Sequence, residues 1–401
     1  MTDDKNQFSI HIIANTALGP SMSGGDKIFI EFARYWAKIG CSVHVYVWEE
    51  GLEMCKRNNL ENVHYVIWSA QKYKITGFLG LYLIRTIKGI FEVQKITDRS
   101  QKIIVYSASD FFPDLFPAFF LRMRLERSKW IGSLYLFAPN PVYRKKDILY
   151  RGGKTSLNLN NILYFFTQQI SCFFLSRYAD RILVANQLDK NVFLSQNVPE
   201  NNVIPIYGGV DLRGIQKIPA CDTISFEGCF VGRFHPQKGP LELIRIWEAV
   251  CKEKPDAKLC IIGDGPLKDE MLKQIHAKNL QKRIVFAGYV DGEEKYRILK
   301  RSRVFLHTPV QDTGGMAAAE GMACGLPVVG FDLPGYQYCY PHGMLKAPKG
   351  DIEQFAKLVL KLLDDQILYE KIRTEALDFT REWDWECRAE MILQEMHSIT
   401  T

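Results

Sequence analysis

At 401 residues the chain is too long for one ordinary core and fits two domains of about 200 residues each. Its 47% hydrophobic and 24% charged residues are those of a globular protein, and no apolar run reaches the roughly 18 residues a membrane span needs. Ten scattered cysteines, without a CxxC pair or a Cys/His cluster, exclude a disulfide scaffold and a structural zinc. The acidic, polar start MTDDKNQFSI is no secretory signal, so the expected location is cytoplasmic. Charge is uneven: residues 1–200 carry 25 Lys and Arg against 17 Asp and Glu, residues 201–401 carry 26 against 28. A basic first half suits an anionic acceptor or an anionic membrane surface, and equally a plain solvated surface.

In chain order, residues 8–14 predict a buried parallel strand, followed by the turn NTALGPSMSGG and an amphipathic helix from about Asp26 to Lys38. Val43–Val47 returns to strand, which makes a β-loop-α-β unit without GxGxxG. Gly77–Val93 and Asn161–Leu175 are apolar and aromatic, the latter with Phe165, Phe166, Phe173 and Phe174. Each reads as a core helix or as a helix lying on a bilayer, the first with the basic run Arg144, Lys145, Lys146 and Arg151 nearby. Further strands are predicted at Lys102–Tyr106, Trp130–Leu136 and Arg181–Ala185, and a hinge at Pro199 to Gly209. From Phe226 onward strands and helices alternate regularly, the pattern of a parallel sheet covered on both faces.

Two segments carry chemistry. In VGRFHPQKGPLELI a strand ends at Val231, Arg233 and Lys238 flank a short loop, and Pro240 opens a helix. Arg grips phosphate oxygens bidentately and Lys adds a point charge. In DTGGMAAAEGMACGLPVVG, Asp312 and Glu320 stand either side of seven small or apolar residues, Gly314, Gly315 and Met316 among them, and Met316–Ala323 reads as a tight helix. Gly325 suits its C-terminal cap and Leu326–Gly330 reads as a buried strand. Bare N–H groups at a helix start accept an anion, and the carboxylate one turn later accepts from sugar hydroxyls.

These segments resemble the Glu-x7-Glu region and the basic pair of the retaining glycosyltransferases of family 4. Asp312 stands for the first Glu, and AEGMACGLPVV is similar to that family's EAMACGLPVV. The resemblance runs over most of the chain and implies the GT-B architecture: two Rossmann-like domains facing across a cleft. It implies an acceptor domain at 1–200, a nucleotide-sugar domain at 201–378, and a helix at 379–401 returning to the first. Gly24 and Gly25 resemble the paired-glycine loop near the donor phosphates, and Gly263-Asp264-Gly265-Pro266 resembles the family's GDGP turn. Gly288, Tyr289 and Val290 fall where the family holds the base. Arg233 and Lys238 would stabilise the departing diphosphate, Glu320 would bind ribose, and Asp312 would hold the sugar or its phosphate.

The implied activity is metal-independent transfer of a hexose from a nucleoside-diphosphate sugar to a glycan or lipid-linked acceptor, with no cofactor beyond the co-substrate. A non-catalytic sugar-nucleotide-binding subunit and an epimerase of the same architecture are the alternatives. Tyr135 or a neighbour replaces the usual histidine near the sugar, and Asp110 and Asp114 are acceptor contacts or helix caps. His235 and His307 read as structural.

Overall fold

The structure, a computed structural model, describes residues 8–16, 22–68, 77–96, 102–138, 159–219 and 223–400. The basic run Arg144, Lys145, Lys146 and Arg151 lies outside these residues. The described chain divides into two compact units. Unit 1 holds the residues up to Gly208 together with the C-terminal helix Trp385–Thr400, and unit 2 holds Gly209–Asp384.

Unit 1 is built on seven strands: β1 (Phe8–Ile13), β2 (Ser42–Val47), β3 (His64–Ile67), β4 (Lys102–Ser107), β5 (Ser128–Leu134), β6 (Arg181–Val184) and β7 (Val203–Pro205). They pair in parallel in the order β3-β2-β1-β4-β5-β6-β7. β1 is buried along its whole length, as its near-continuous apolar sequence requires of a strand covered on both faces. The helix Gly24–Lys38 joins β1 to β2 and lies against the C-terminal helix. Trp36 Nε1 donates to the Ala389 carbonyl (2.9 Å), Tyr35 donates to Glu390 (2.7 Å), and Lys38 pairs with Glu386 (2.7 Å).

Unit 2 has six parallel strands: β8 (Phe226–Val231), β9 (Leu259–Ile262), β10 (Ile284–Gly288), β11 (Ser302–His307), β12 (Val328–Phe331) and β13 (Met344–Ala347). Their order is β10-β9-β8-β11-β12-β13, so the winding reverses between β8 and β11. In an open parallel sheet, ligands bind beyond the carboxyl ends of the strands at such a reversal. Trp247, Phe230, Leu306 and Phe355 are among the fully buried side chains of its core.

Several element boundaries differ by one to three residues from the sequence reading, and two of the shifts have a visible local cause. β5 stops at Leu134 rather than Leu136, because the chain turns to meet a helix. There the Ala138 N–H donates to Gln168 (2.6 Å), whose amide donates back to the Leu136 carbonyl (2.9 Å). β12 starts two residues late, at Val328, since Leu326 is still engaged in closing the preceding helix through its bond to Gly321.

Candidate active site

The loop after β8 and the loop after β9 are locked together by backbone. Gly232 donates to Ile262 (3.0 Å), Phe234 donates to Asp264 (2.9 Å), and Leu267 donates back to Phe234 (3.1 Å). A Cβ on Gly263 would stand 2.0 Å from the Gly232 carbonyl, and one on Gly265 2.8 Å from the Phe234 nitrogen. Both also have positive φ. The space that glycine keeps open at these positions is therefore filled by the neighbouring loop. The β10 loop joins the set, with Gly263 donating to the Gly288 carbonyl (2.8 Å). Tyr289 beyond it is 73% exposed and Val290 is half-buried. Arg233 lies exposed at the end of β8.

Lys238 is carried by a single tight turn, Pro236–Lys238, that ends at left-handed Gly239 (φ +62°). Thr308, just past β11, donates to the carbonyls of Lys238 (3.0 Å) and Gly239 (3.1 Å), and the Val310 N–H donates to Gln237 (2.9 Å). These bonds tie the β8 and β11 loops into one frame at the reversal point. Within it the Lys238 ammonium sits 2.6 Å from Asp312 Oδ2. The other carboxylate oxygen accepts from the N–H groups of Thr313 (2.8 Å) and Gly315 (3.3 Å). Burial would raise the Asp312 carboxyl, but Lys238, His307 and these donors outweigh it and hold the group at about 2.

The glycine turn before the helix Met316–Ala323 is built from below. Gly315 has φ +58°, and a Cβ there would come within 3.0 Å of both His307 Nε2 and the Tyr336 hydroxyl. His307 and Tyr336 hydrogen-bond at 2.7 Å with stacked rings, and Tyr340 donates to the carbonyls of Gly314 (2.9 Å) and Gly315 (2.7 Å). Burial, reinforced by Lys238, takes His307 down to about 3 against the pull of Asp312, so the ring is neutral. The helix starts at Gly315 without a side-chain cap, and so does the helix Pro240–Glu253 after Gly239. Apart from the Ala318 N–H, which bonds back to the Gly315 carbonyl (2.8 Å), and Pro240, which has none, their first-turn N–H groups are left for a ligand or solvent.

Glu320 has a partner that the sequence did not reveal. Lys295, buried on the helix Gly292–Lys300, reaches Glu320 Oε1 (2.8 Å) and Asp291 Oδ1 (2.7 Å). Burial works against its ammonium, yet Glu320, Tyr296 and Asp291 more than compensate, raising its pKa and keeping it charged. Nothing in the spacing of DGEEKYRILK distinguishes Lys295 from its exposed neighbours.

In unit 1, Gly24 and Gly25 open the helix Gly24–Lys38 with Gly25 against Tyr135, whose Cδ2 would be 3.3 Å from an added Cβ. That helix start carries a capping box: Asp26 N–H donates to Ser23 Oγ (3.2 Å), and Ser23 N–H donates to Asp26 (2.8 Å). Tyr135 shares a 2.8 Å bond with Tyr106. Asp114 is turned inward, accepting from the Asn15 N–H (2.5 Å) and Ser109 (2.5 Å), and Asp110 accepts from Gln168 (2.9 Å).

Residues 223–378 match the family model described as glycosyl transferases group 1. That segment is what this chain shares with the group 1 glycosyl transferases. It is 25% identical over 269 residues to an uncharacterized glycosyltransferase of Methanocaldococcus jannaschii, over 63% of this chain and 68% of that one. It is 28% identical over 208 residues to a phosphatidyl-myo-inositol mannosyltransferase of Mycobacterium leprae, covering 50% of this chain and 55% of that protein. The Anabaena protein HepE, solved with UDP and glucose, superposes with a TM-score of 0.70 at 17% identity, over 97% of this chain and 99% of that one. At that identity the likeness concerns the fold. The two parallel-sheet Rossmann-like units are those of the GT-B fold.

Proposed function

We propose that this glycosyltransferase is a retaining, metal-independent enzyme of the family 4 kind. It moves a hexose from a nucleoside-diphosphate sugar to a hydroxyl of a glycan or lipid-linked acceptor on the cytoplasmic side. The carrying observation is the frame at the β8/β11 reversal, where Lys238 is held 2.6 Å from Asp312 beside two helix starts without side-chain caps. An anion placed there meets a fixed ammonium, the dipoles of two helices, and Arg233 on the adjoining loop. HepE was solved with UDP-bearing ligands, which supports a nucleotide-sugar donor here. The lipid-named mannosyltransferase relative supports a lipid-linked acceptor.

In this reading the bond from the anomeric carbon to the diphosphate oxygen breaks while the acceptor oxygen bonds to the same face of that carbon. The acceptor proton passes to the departing phosphate oxygen. Negative charge grows on that phosphate, and Arg233 and Lys238 offset it where it grows, each contact being worth about 3 kcal/mol in the transition state. Asp312 holds the Lys238 ammonium in place until the donor arrives. Glu320, oriented by Lys295, accepts from the ribose hydroxyls, and Gly288 to Val290 border the base.

The test is diphosphate release from UDP-, GDP-, ADP- and dTDP-sugars, with Arg233→Ala and Glu320→Gln beside the wild type and with a chelator added to half the samples. One nucleotide class should bind and turn over, Arg233→Ala should lose turnover by roughly a hundredfold, and the chelator should change nothing. Loss of rate on chelation would sink the metal-independent reading. Binding without release, with lipid and glycan acceptors present, would make the chain a binding subunit.

A further inference from the structure

Unit 1 wears its apolar side chains outward on three adjacent helices. On Gly77–Val93, Leu79, Leu83 (55% exposed), Ile87 and Phe91 (61%) recur every four residues and form one stripe along the solvent face. On Leu159–Tyr178, Phe166 (57%), Ile170 and Phe173 (60%) make a second. Between them lies Phe112–Arg124, which presents Phe120 and Met123. The three helices touch. Gly89 leaves room for Pro117, whose Cγ would lie 2.7 Å from an added Cβ, and Phe174 packs on Phe116 (5.2 Å) and Phe119 (4.9 Å). The stripes therefore belong to one apolar surface, of the kind soluble monomers rarely leave open.

The geometry points to this three-helix face as the surface on which the protein lies flat against an anionic bilayer. The three helices carry five Lys and Arg against two Asp and Glu; with Arg85 and Asp114 both buried, four cations remain against Glu92. Arg124 and Arg177 stand exposed at the carboxyl ends of two of them. Phenylalanine and leucine ringed by cations is the composition of an interfacial helix, whose apolar face enters the acyl boundary while its cations meet lipid phosphates. Among the described residues no helix is long and apolar enough to cross a membrane, so contact is in the plane of the surface. A second copy is the poorer occupant: a two-fold contact would bring this positive face against itself.

This deepens the lipid-linked-acceptor reading by giving unit 1 access to a substrate that stays in the bilayer, yet it stands on unit 1 alone. Its test uses neither nucleotide nor acceptor, so a failed donor assignment and a failed membrane assignment are told apart. The full chain is floated with vesicles of phosphatidylcholine, with and without phosphatidylglycerol. The protein should float with the anionic vesicles, and high salt should weaken the association. The doubles Leu83→Ser/Ile87→Ser and Phe166→Ser/Phe173→Ser should each bind at least about tenfold more weakly with unchanged melting. Arg177→Glu should weaken binding to the anionic vesicles only. Ile367→Ser, at a more exposed apolar residue of unit 2, should float as the wild type does. The inference falls if the wild type stays at the bottom of the gradient, or if both doubles float unchanged. It falls equally if the chain sediments as a dimer that Leu83→Ser/Ile87→Ser dissolves, which would give the face to a second copy.

Discussion

The two units wind their sheets alike but differ at the helix that follows the first strand and in most of their buried acids. In unit 1 the helix after β1 supplies its own anion, the capping-box carboxylate of Asp26. In unit 2 the helix after β8 begins at left-handed Gly239 with no side-chain cap, and the helix after β11 does the same at Gly315. A phosphate at the first helix would meet a like charge; at the other two it meets bare N–H groups and Lys238. Most buried acids follow a similar division, Glu31 of unit 1, paired with Lys27 and Arg34, being the exception. Asp312 and Glu320 are each neutralised by a lysine at hydrogen-bond distance. In unit 1, burial drives Asp110 up to about 6 and Asp114 to about 7 against hydrogen bonds from neutral groups, although Arg85 lies within Coulomb reach of Asp114. Asp189, fully buried, goes up to about 8. Unit 2 thus keeps charge ready at its site, while unit 1 stores protons in its core.

The strongest way to break this contrast is to remove one lysine. Lys295→Met leaves Glu320 facing a buried site without its cation and should cost about 4 kcal/mol in denaturant unfolding of unit 2. The double variant Lys295→Met/Glu320→Gln should recover much of that loss, because the unpaired charge goes with its partner. Losses that simply add would show that the pair is not coupled.

The two units should also answer pH in opposite senses. For Asp110, Asp114 and Asp189 the folded pKa lies above the unfolded 3.8, so the folded state holds more protons. The stability they contribute is complete below that value and fades as pH rises through about 6, 7 and 8. Unit 1 should lose stability progressively between pH 5 and pH 8, followed by hydrogen exchange of its strand amides, and Asp189→Asn should flatten the upper part of the slope. In unit 2 the folded values of His307 and Asp312 are depressed, to about 3 and about 2. Their contribution is present above the unfolded 6.5 and 3.8 and is lost as pH falls towards the folded values. Parallel pH responses in the two units would contradict the electrostatic division.

How much of this was legible beforehand depends on the range of the interaction. The helix Met316–Ala323 and the left-handed glycine after it follow from local chemistry, small residues closed by a residue free to take positive φ, and they stand where the sequence placed them. The Lys295–Glu320 pair joins residues 25 apart through the packing of two helices, and no local pattern encodes it. Gly263 and Gly265 were visible as a turn, but the carbonyl each must clear belongs to the β8 loop. The helix Gly77–Val93 has apolar residues on every side and buries its Arg85, so periodicity could not say which face is bare. Only its packing on Phe112–Arg124 assigns Leu83 and Ile87 to solvent.

A smaller effect separates two glycines of unit 2. Gly315→Ala adds a Cβ at φ +58° within 3.0 Å of His307 and Tyr336, and should cost about 2 kcal/mol while loosening the turn beneath Asp312. Gly288→Ala meets the same backbone penalty at φ +73° but has nothing within 4 Å, so about 1 kcal/mol is expected. Equal losses at the two sites would mean that the His307–Tyr336 platform does not shape the turn.

The smallest change probes the capped helix itself. Ser23→Ala removes the acceptor for the Asp26 N–H and should cost unit 1 about 1 kcal/mol, the ordinary worth of such a cap. If the Asp26 carboxylate already satisfies that helix start, nucleotide affinity measured by calorimetry should move less than about twofold. Phosphate binding at Gly24 and Gly25 would answer differently, because freeing the N–H of Asp26 alters the donors and field that the anion meets. A clear shift in affinity, with stability loss no greater than expected, would return those two glycines to the donor site. It would also end the view that anion binding belongs to the uncapped helices of unit 2 alone.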